Sequence, residues 1–324
     1  MDDLSALSRQ ELIALILSPE SELHRTSEEQ GDEEVLQCLE PSPQQEFQWD
    51  ESMKHQDPSF KVSDDVNGLS LALDSNSSYL GISSINAVLR VIAHISPKFR
   101  SRIQQKTSMI VPEEVPSNEF LTSQADEPAL IDAYFEHIHC ITPIVDEPDF
   151  RARYASGDNR APWQALLNMV LAMGSIGTSE PNEEIHMTFY SKAYRNLGLD
   201  SFGAGHIEIV QALGILGGYY CHYVNRPNMA NVLMGAALRM ALAMGLHREP
   251  TKQTQEPGEF QSFMMHETRR RVWWSLFCLD TWASLTLGRP SLGRWDPDTI
   301  TVNLPTQRSP SVSPCHFISF GPRN

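Results

Sequence analysis

The sequence predicts an all-α protein, a multi-helix domain behind a disordered acidic arm. Two observations predict it. From Pro128 onward apolar residues recur every three or four positions, and no run alternates as a strand would. Acid is concentrated at the front: of the net charge of −16, with 25 Lys+Arg against 41 Asp+Glu, a large share sits before residue 60. There the only basic residues are Arg9, Arg25 and Lys54. Self-repelling charge with few apolar residues does not offset the entropy of ordering.

The elements follow in chain order. Residues 1–78 form the acidic, mostly disordered arm, with one short helix near 8–17. Ser8 and Glu11 have capping-box spacing there, and Pro19 ends the apolar run. Phe47 and Trp49 lie among Glu46, Asp50 and Glu51, the pattern of acidic activation segments. Residues 79–125 are read as a helix plus linker, with Ile85, Val88, Leu89, Ile92 and Ile95 in phase until Pro97. Lys98, Arg100, Arg102 and Lys106 form a basic patch, read either as a nuclear-import signal or as a solvated face. A boundary is placed near Asp126.

Beyond it, Leu130 to Ile138 predicts a helix closed by Pro143. Trp163 to Ile176 predicts the next, with Pro162 in its first turn. Ile185–Leu197 ends at Gly198. Ile207–Tyr223 and Met229–Met244 read as a helical hairpin turning at Asn225-Arg226-Pro227 and stopping at Gly245. His266 to about Leu287 is the strongest helix. Trp273, Leu276 and Phe277 lie on one face and Trp274, Cys278, Trp282 and Leu285 on another, so a surrounded, central helix is expected.

Composition excludes several function classes. A chain this acidic repels phosphate and is a poor nucleic-acid binder as a whole. Cys38, Cys140, Cys221, Cys278 and Cys315 contain no CxxC pair, against a disulfide framework or a cysteine-built zinc site. The apolar stretch Ile209–Val224 is too short to span a membrane. There is no Gly-Lys dipeptide for a phosphate loop, no GxSxG and no HExxH. Gly203-Ala204-Gly205 starts like a dinucleotide loop but lacks the third glycine. Asp64-Asp65 falls in a polar loop, not in a carboxylate-rich helix. His137 and Cys140 share a face, which is two ligands and not a site. No catalytic residue, cofactor or metal ligand is therefore expected. Asp280, on the core helix, is read as a buried ion pair with Arg289 or with one of Arg269, Arg270 and Arg271. The arginine heads are expected in water, with their stems packed.

The segment ETRRRVWWSLFCLDTWASLTLGRP, from Glu267, resembles the fungal-specific transcription factor domain, or middle homology region, of zinc-cluster regulators. The signature residues are Arg270, Arg271, Trp274, Phe277, Leu279, Asp280, Gly288, Arg289 and Pro290. DTITVNLP (Asp298–Pro305), ALAMGLHRE (Ala241–Glu249) and Leu130–Tyr154 are similar to flanking family segments. The resemblance covers 126–305. It implies an all-α regulatory domain of a nuclear transcription regulator, with a structural role for the signature. A coregulator, a dimer partner or a small inducer would be bound, and DNA would be reached only indirectly or through a zinc cluster. No CxxCx6C cluster occurs in these residues, and 306–324 reads as an unstructured tail. The domain is therefore expected to be incomplete on its C-terminal side. A helical secondary-metabolism enzyme and a truncated, nonfunctional remnant are the alternatives.

Overall fold

The computed structural model of the chain describes residues 79, 81, 84–85, 88, 125–178, 183–224, 226–249, 259–291 and 298–306. All lie in one compact unit, 46–324. The expected helix at 8–17, the Phe47–Trp49 segment and the basic patch at 98–106 fall outside these residues.

The fold class is all-α, with seven helices and no strand among the described residues. They are α1 (Glu127–His137), α2 (Glu147–Ser156), α3 (Ala161–Ile176), α4 (Glu183–Arg195), α5, α6 (Pro227–Ala243) and α7 (Glu259–Leu287). Helix α5 is Ile207–Ile215, continued through a π turn at Leu216–Tyr220 into Cys221–Tyr223.

Local chemistry sets the starts. Asp126 and Asp146 cap α1 and α2, accepting from Ala129 N and Asp149 N at 3.2 Å each. A proline stands in the first turn of α1, α2, α3 and α6, where its missing N–H costs nothing. Pro227 therefore opens α6 instead of finishing the preceding turn. Helix α2 was not anticipated. Only Phe150 of its residues is buried, so periodicity is silent, yet its Asp-Glu-Pro start and left-handed Gly157 end are cap signals.

The centre of the core is α3, not α7. From Trp163 to Ser175 every α3 residue except Gln164 is buried. Helices α1, α4 and α5 pack around it, while α6 and α7 close over the far side of α5. On α7, Val272, Trp273, Leu276, Leu279 and Ala283 are buried. The opposite stripe is open: Cys278 is exposed, Trp282 is 39% exposed and Leu285 65%. The surrounding expected for α7 is thus one-sided, because a helix at the edge of the bundle meets neighbours on one face only.

Two contacts show how closely the core is drawn. At Gly174 a Cβ would lie 2.0 Å from the Leu130 carbonyl oxygen, so α1 and α3 touch backbone to backbone. Gly174→Ala is expected to force the two helices apart and destabilise the fold by about 3 kcal/mol, the upper range for overpacking. A urea midpoint indistinguishable from wild type would refute the close approach. Between α2 and α5, Arg153 reaches Glu208 at 2.8 Å and Asp158 at 3.0 Å while lying over the Trp163 ring, 4.5 Å from its centre. The buried Glu208 carboxylate is thereby compensated.

Candidate functional site

The described signature residues form two groups along α7, one near its middle around Arg270, Arg271 and Trp274 and one at its C-terminal end. Each group packs beside a glycine-capped helix terminus.

Helix α6 ends in a Schellman turn. Gly245, at φ 68°, donates its N–H to Leu242 O, and Leu246 donates to Ala241 O, both at 2.9 Å. Leu246 is fully buried as the apolar residue such a turn carries. The turn brings Met244, Gly245 and Glu249 against Arg269 and Arg270 of α7. There the three arginines divide the work. Arg269 Nη2 donates to the carbonyls of Met244 (3.2 Å) and Gly245 (2.9 Å), satisfying the end of α6. Arg270 grips Glu249 with Nε and Nη2, the Nε bond being 3.1 Å, and also reaches Glu267 at 3.5 Å. Arg271 Nε donates to Glu267 at 3.1 Å, with both side chains buried. The arginine heads are therefore paired, which corrects the expectation of packed stems with heads in water. Burial of this junction demands compensation for each charge.

The same carboxylates hold a third segment, 298–306. Asn303 N donates to Glu249 at 3.0 Å and Thr306 N to Glu267 at 3.0 Å. Trp274 Nε1 donates to Asn303 O at 2.9 Å, and Thr301 N and Val302 N donate to His247 O. Ile300 and Val302 are buried beneath this strap. Arg270 lowers the Glu249 carboxyl to a pKa of about 2. Burial lowers that of His247, with Arg248 and Arg269 adding to it. Three motifs far apart in sequence are thus one charged latch.

At the C-terminal end Gly288, at φ 64°, donates to Leu285 O and Arg289 N to Ser284 O, a second Schellman turn, with Pro290 forbidding further helix. Here the glycine is needed twice. A Cβ on it would lie 2.7 Å from Gly81 O, and Gly81 N donates to Leu287 O at 3.0 Å. Arg289 then donates to Tyr79 O (2.9 Å) and Asn228 Oδ1 (2.7 Å). Tyr79 and Gly81 are clasped there, and Val88 N donates to Ser84 O at 3.2 Å. Ser291 Oγ donates to Asp280 at 2.6 Å. Phe277 stacks edge-on with Trp274, 5.5 Å between centres.

Sequence reading picked out the arginines, the tryptophan and Gly-Arg-Pro but not their partners Glu249, Asn303, Asn228 and Gly81. The Glu267–Arg271 spacing of four was the one available signal. His137 and Cys140 are exposed, and His139 packs against Phe135 with 5.0 Å between ring centres. Among the described residues no three His, Cys, Asp or Glu side chains come together to hold a metal. No described helix is long and apolar enough to cross a membrane.

The family model for the fungal specific transcription factor domain matches residues 131–311. The chain belongs to this family. The chain is 33% identical over 176 residues to the lactose regulatory protein LAC9 of Kluyveromyces lactis, 53% of this chain and 19% of that protein. It is 32% identical over 183 residues to the transcription factor FBD3 of Gibberella moniliformis, 53% of this chain and 24% of that protein. It is 29% identical over 176 residues to the acetamidase regulatory protein of Aspergillus fumigatus, 51% and 21% of the two chains. The matched stretch therefore spans about a fifth to a quarter of these relatives' lengths. No solved structure matches.

Proposed function

We propose that this chain supplies the regulatory segment of a nuclear transcription regulator of the fungal zinc-cluster kind and carries no catalytic activity. The observation that supports it best is the match to the family model over 131–311. The domain would receive a coregulator, a dimer partner or a small inducer. DNA would be reached through a partner or through a zinc cluster, since none of CxxCx6C spacing lies in these 324 residues. The acidic arm with Phe47 and Trp49 would recruit transcription machinery.

The test is a fusion of the full chain to a heterologous DNA-reading module upstream of a reporter. Reporter output is expected to change when the fusion is present and to shift again when Phe47 and Trp49 are both replaced by alanine. The unfused chain is expected to give no titratable, site-dependent gel shift at physiological salt. A reporter indifferent to the fusion rejects the reading.

A further inference from the structure

Between the single-turn segment Leu199–Gly203 and the last turns of α6 lies a cleft of about 510 Å³. That volume suits a small ligand, since such sites run roughly 300–1,000 Å³. Its walls are largely apolar, with Phe202, Met240 and Met244 contributing the large side chains and Ala236 and Ala243 leaving room beside them. Phe202 is 36% exposed, so an aromatic ring stands at the mouth. Gly205 closes the back, where a Cβ would sit 3.7 Å from Met244 Cγ.

One charged residue lines the cleft, Arg239, which is itself exposed. It is the sole charged residue of α6. Six arginines around the core are engaged: Arg151, Arg153, Arg160, Arg270 and Arg271 with carboxylates, and Arg269 with carbonyls. Arg239 has no carboxylate or carbonyl partner among the described residues. Arg270, Arg271 and Trp274 of the latch are bonded within the fold, whereas Arg239 lines the cleft and is exposed.

We propose that the cleft binds a small amphipathic monocarboxylate, its carboxylate on Arg239 and its apolar body against Phe202, Met240 and Met244. A planar guanidinium matches a carboxylate with two parallel hydrogen bonds. A single lining cation favours one negative charge over the two of a phosphate monoester. The assignment rests on the regulator reading in giving a small inducer its place and its chemical class. The plainer role of Arg239, a cation stabilising the C-terminal end of α6, predicts no ligand and no dependence on ligand charge.

The experiment titrates the full chain with 2-naphthoate, and separately with 2-naphthylmethylammonium, following ligand fluorescence. Naphthoate is expected to saturate, and the ammonium to bind about tenfold more weakly, as the loss of one charge-assisted contact implies. Arg239→Ala is expected to weaken naphthoate by about tenfold or more for the same reason. Ala243→Phe, an exposed position, is expected to obstruct the cleft and weaken naphthoate with Arg239 in place. Thermal melts of both variants, run without ligand, establish that they are folded. Naphthoate that fails to saturate, binds equally to Arg239→Ala, or binds no better than the ammonium overturns the proposal. The reporter fusion is read without naphthoate, so the two readings fail separately. A silent reporter with an Arg239-dependent titration rejects the regulator alone. A responsive reporter with no titration rejects this site alone.

Discussion

Glu267→Ala is expected to destabilise the domain by about 3–5 kcal/mol, the cost of leaving a buried charge without its partner. The side chain is 3% exposed and serves Arg271, Arg270 and the Thr306 amide at once. Arg271, at 8% exposure, would keep its charge in the interior with its contact to the Glu267 carboxylate gone. For a domain of this size that loss lowers Tm by roughly 10 °C. Glu249→Ala supplies the contrast. That carboxylate is 22% exposed, and Arg270 retains Glu267 when it goes. Its removal is expected to cost about 1 kcal/mol, as for a partly solvated pair. Replacing Glu267 and Arg271 together by Met and Leu is expected to recover much of the loss, because two apolar groups of similar shape need no compensation. Equal Tm values for Glu267→Ala and Glu249→Ala would show that the latch is not organised around Glu267.

Acid is expected to unfold the domain well before its carboxylates are all protonated. His186 and His222 are each 2% exposed, and burial lowers both imidazoles to a pKa of about 4. His186 Nδ1 lies 3.1 Å from the Tyr220 hydroxyl, and the His222 ring stands edge-on to Trp282 at 4.9 Å. Neither nitrogen of His222 has a hydrogen-bond partner among the described residues. In the unfolded chain both titrate near 6.5. Between pH 6.5 and 4 the unfolded chain therefore takes up protons that the folded one refuses. The stability held above 6.5 drains away as the pH falls through that window, on the order of 3 kcal/mol for each histidine. Glu249, with its pKa lowered to about 2 by Arg270, extends the loss below 4.5. Urea midpoints measured at pH 7, 5.5 and 4.5 test this. His222→Phe is expected to remove roughly half of the decline between 6.5 and 4.5, since one of two equivalent protonations is gone. A slope unchanged by that substitution would rule out His222 as a source.

The latch explains why the resemblance reads so clearly in the sequence. A helix must end, and its last carbonyls must be satisfied. Gly245 and Gly288 supply left-handed turns, Arg269 supplies donors to two of those carbonyls, and Pro290 blocks continuation. These demands are local, so short motifs carry them. The partners that complete the latch lie 21 to 39 residues away, as Glu249 does from Arg270 and Thr306 from Glu267. No spacing rule connects them.

By itself the sequence determined the fold class, most of the helix starts and stops, and the family. Period, caps and proline positions are properties of neighbouring residues and need no three-dimensional partner. Only the tertiary structure decided which helix is central. An apolar circumference is written identically for α3 and α7, but α3 has neighbours all round, whereas α7 leaves Trp282 and Leu285 in the open. The tertiary structure likewise decided that the arginines are paired instead of hydrated, that Gly81 meets Gly288, and that Arg239 lines a cleft. Each depends on which distant segments the core brings together, and burial and pairing are set by that assembly and not by any stretch of chain alone.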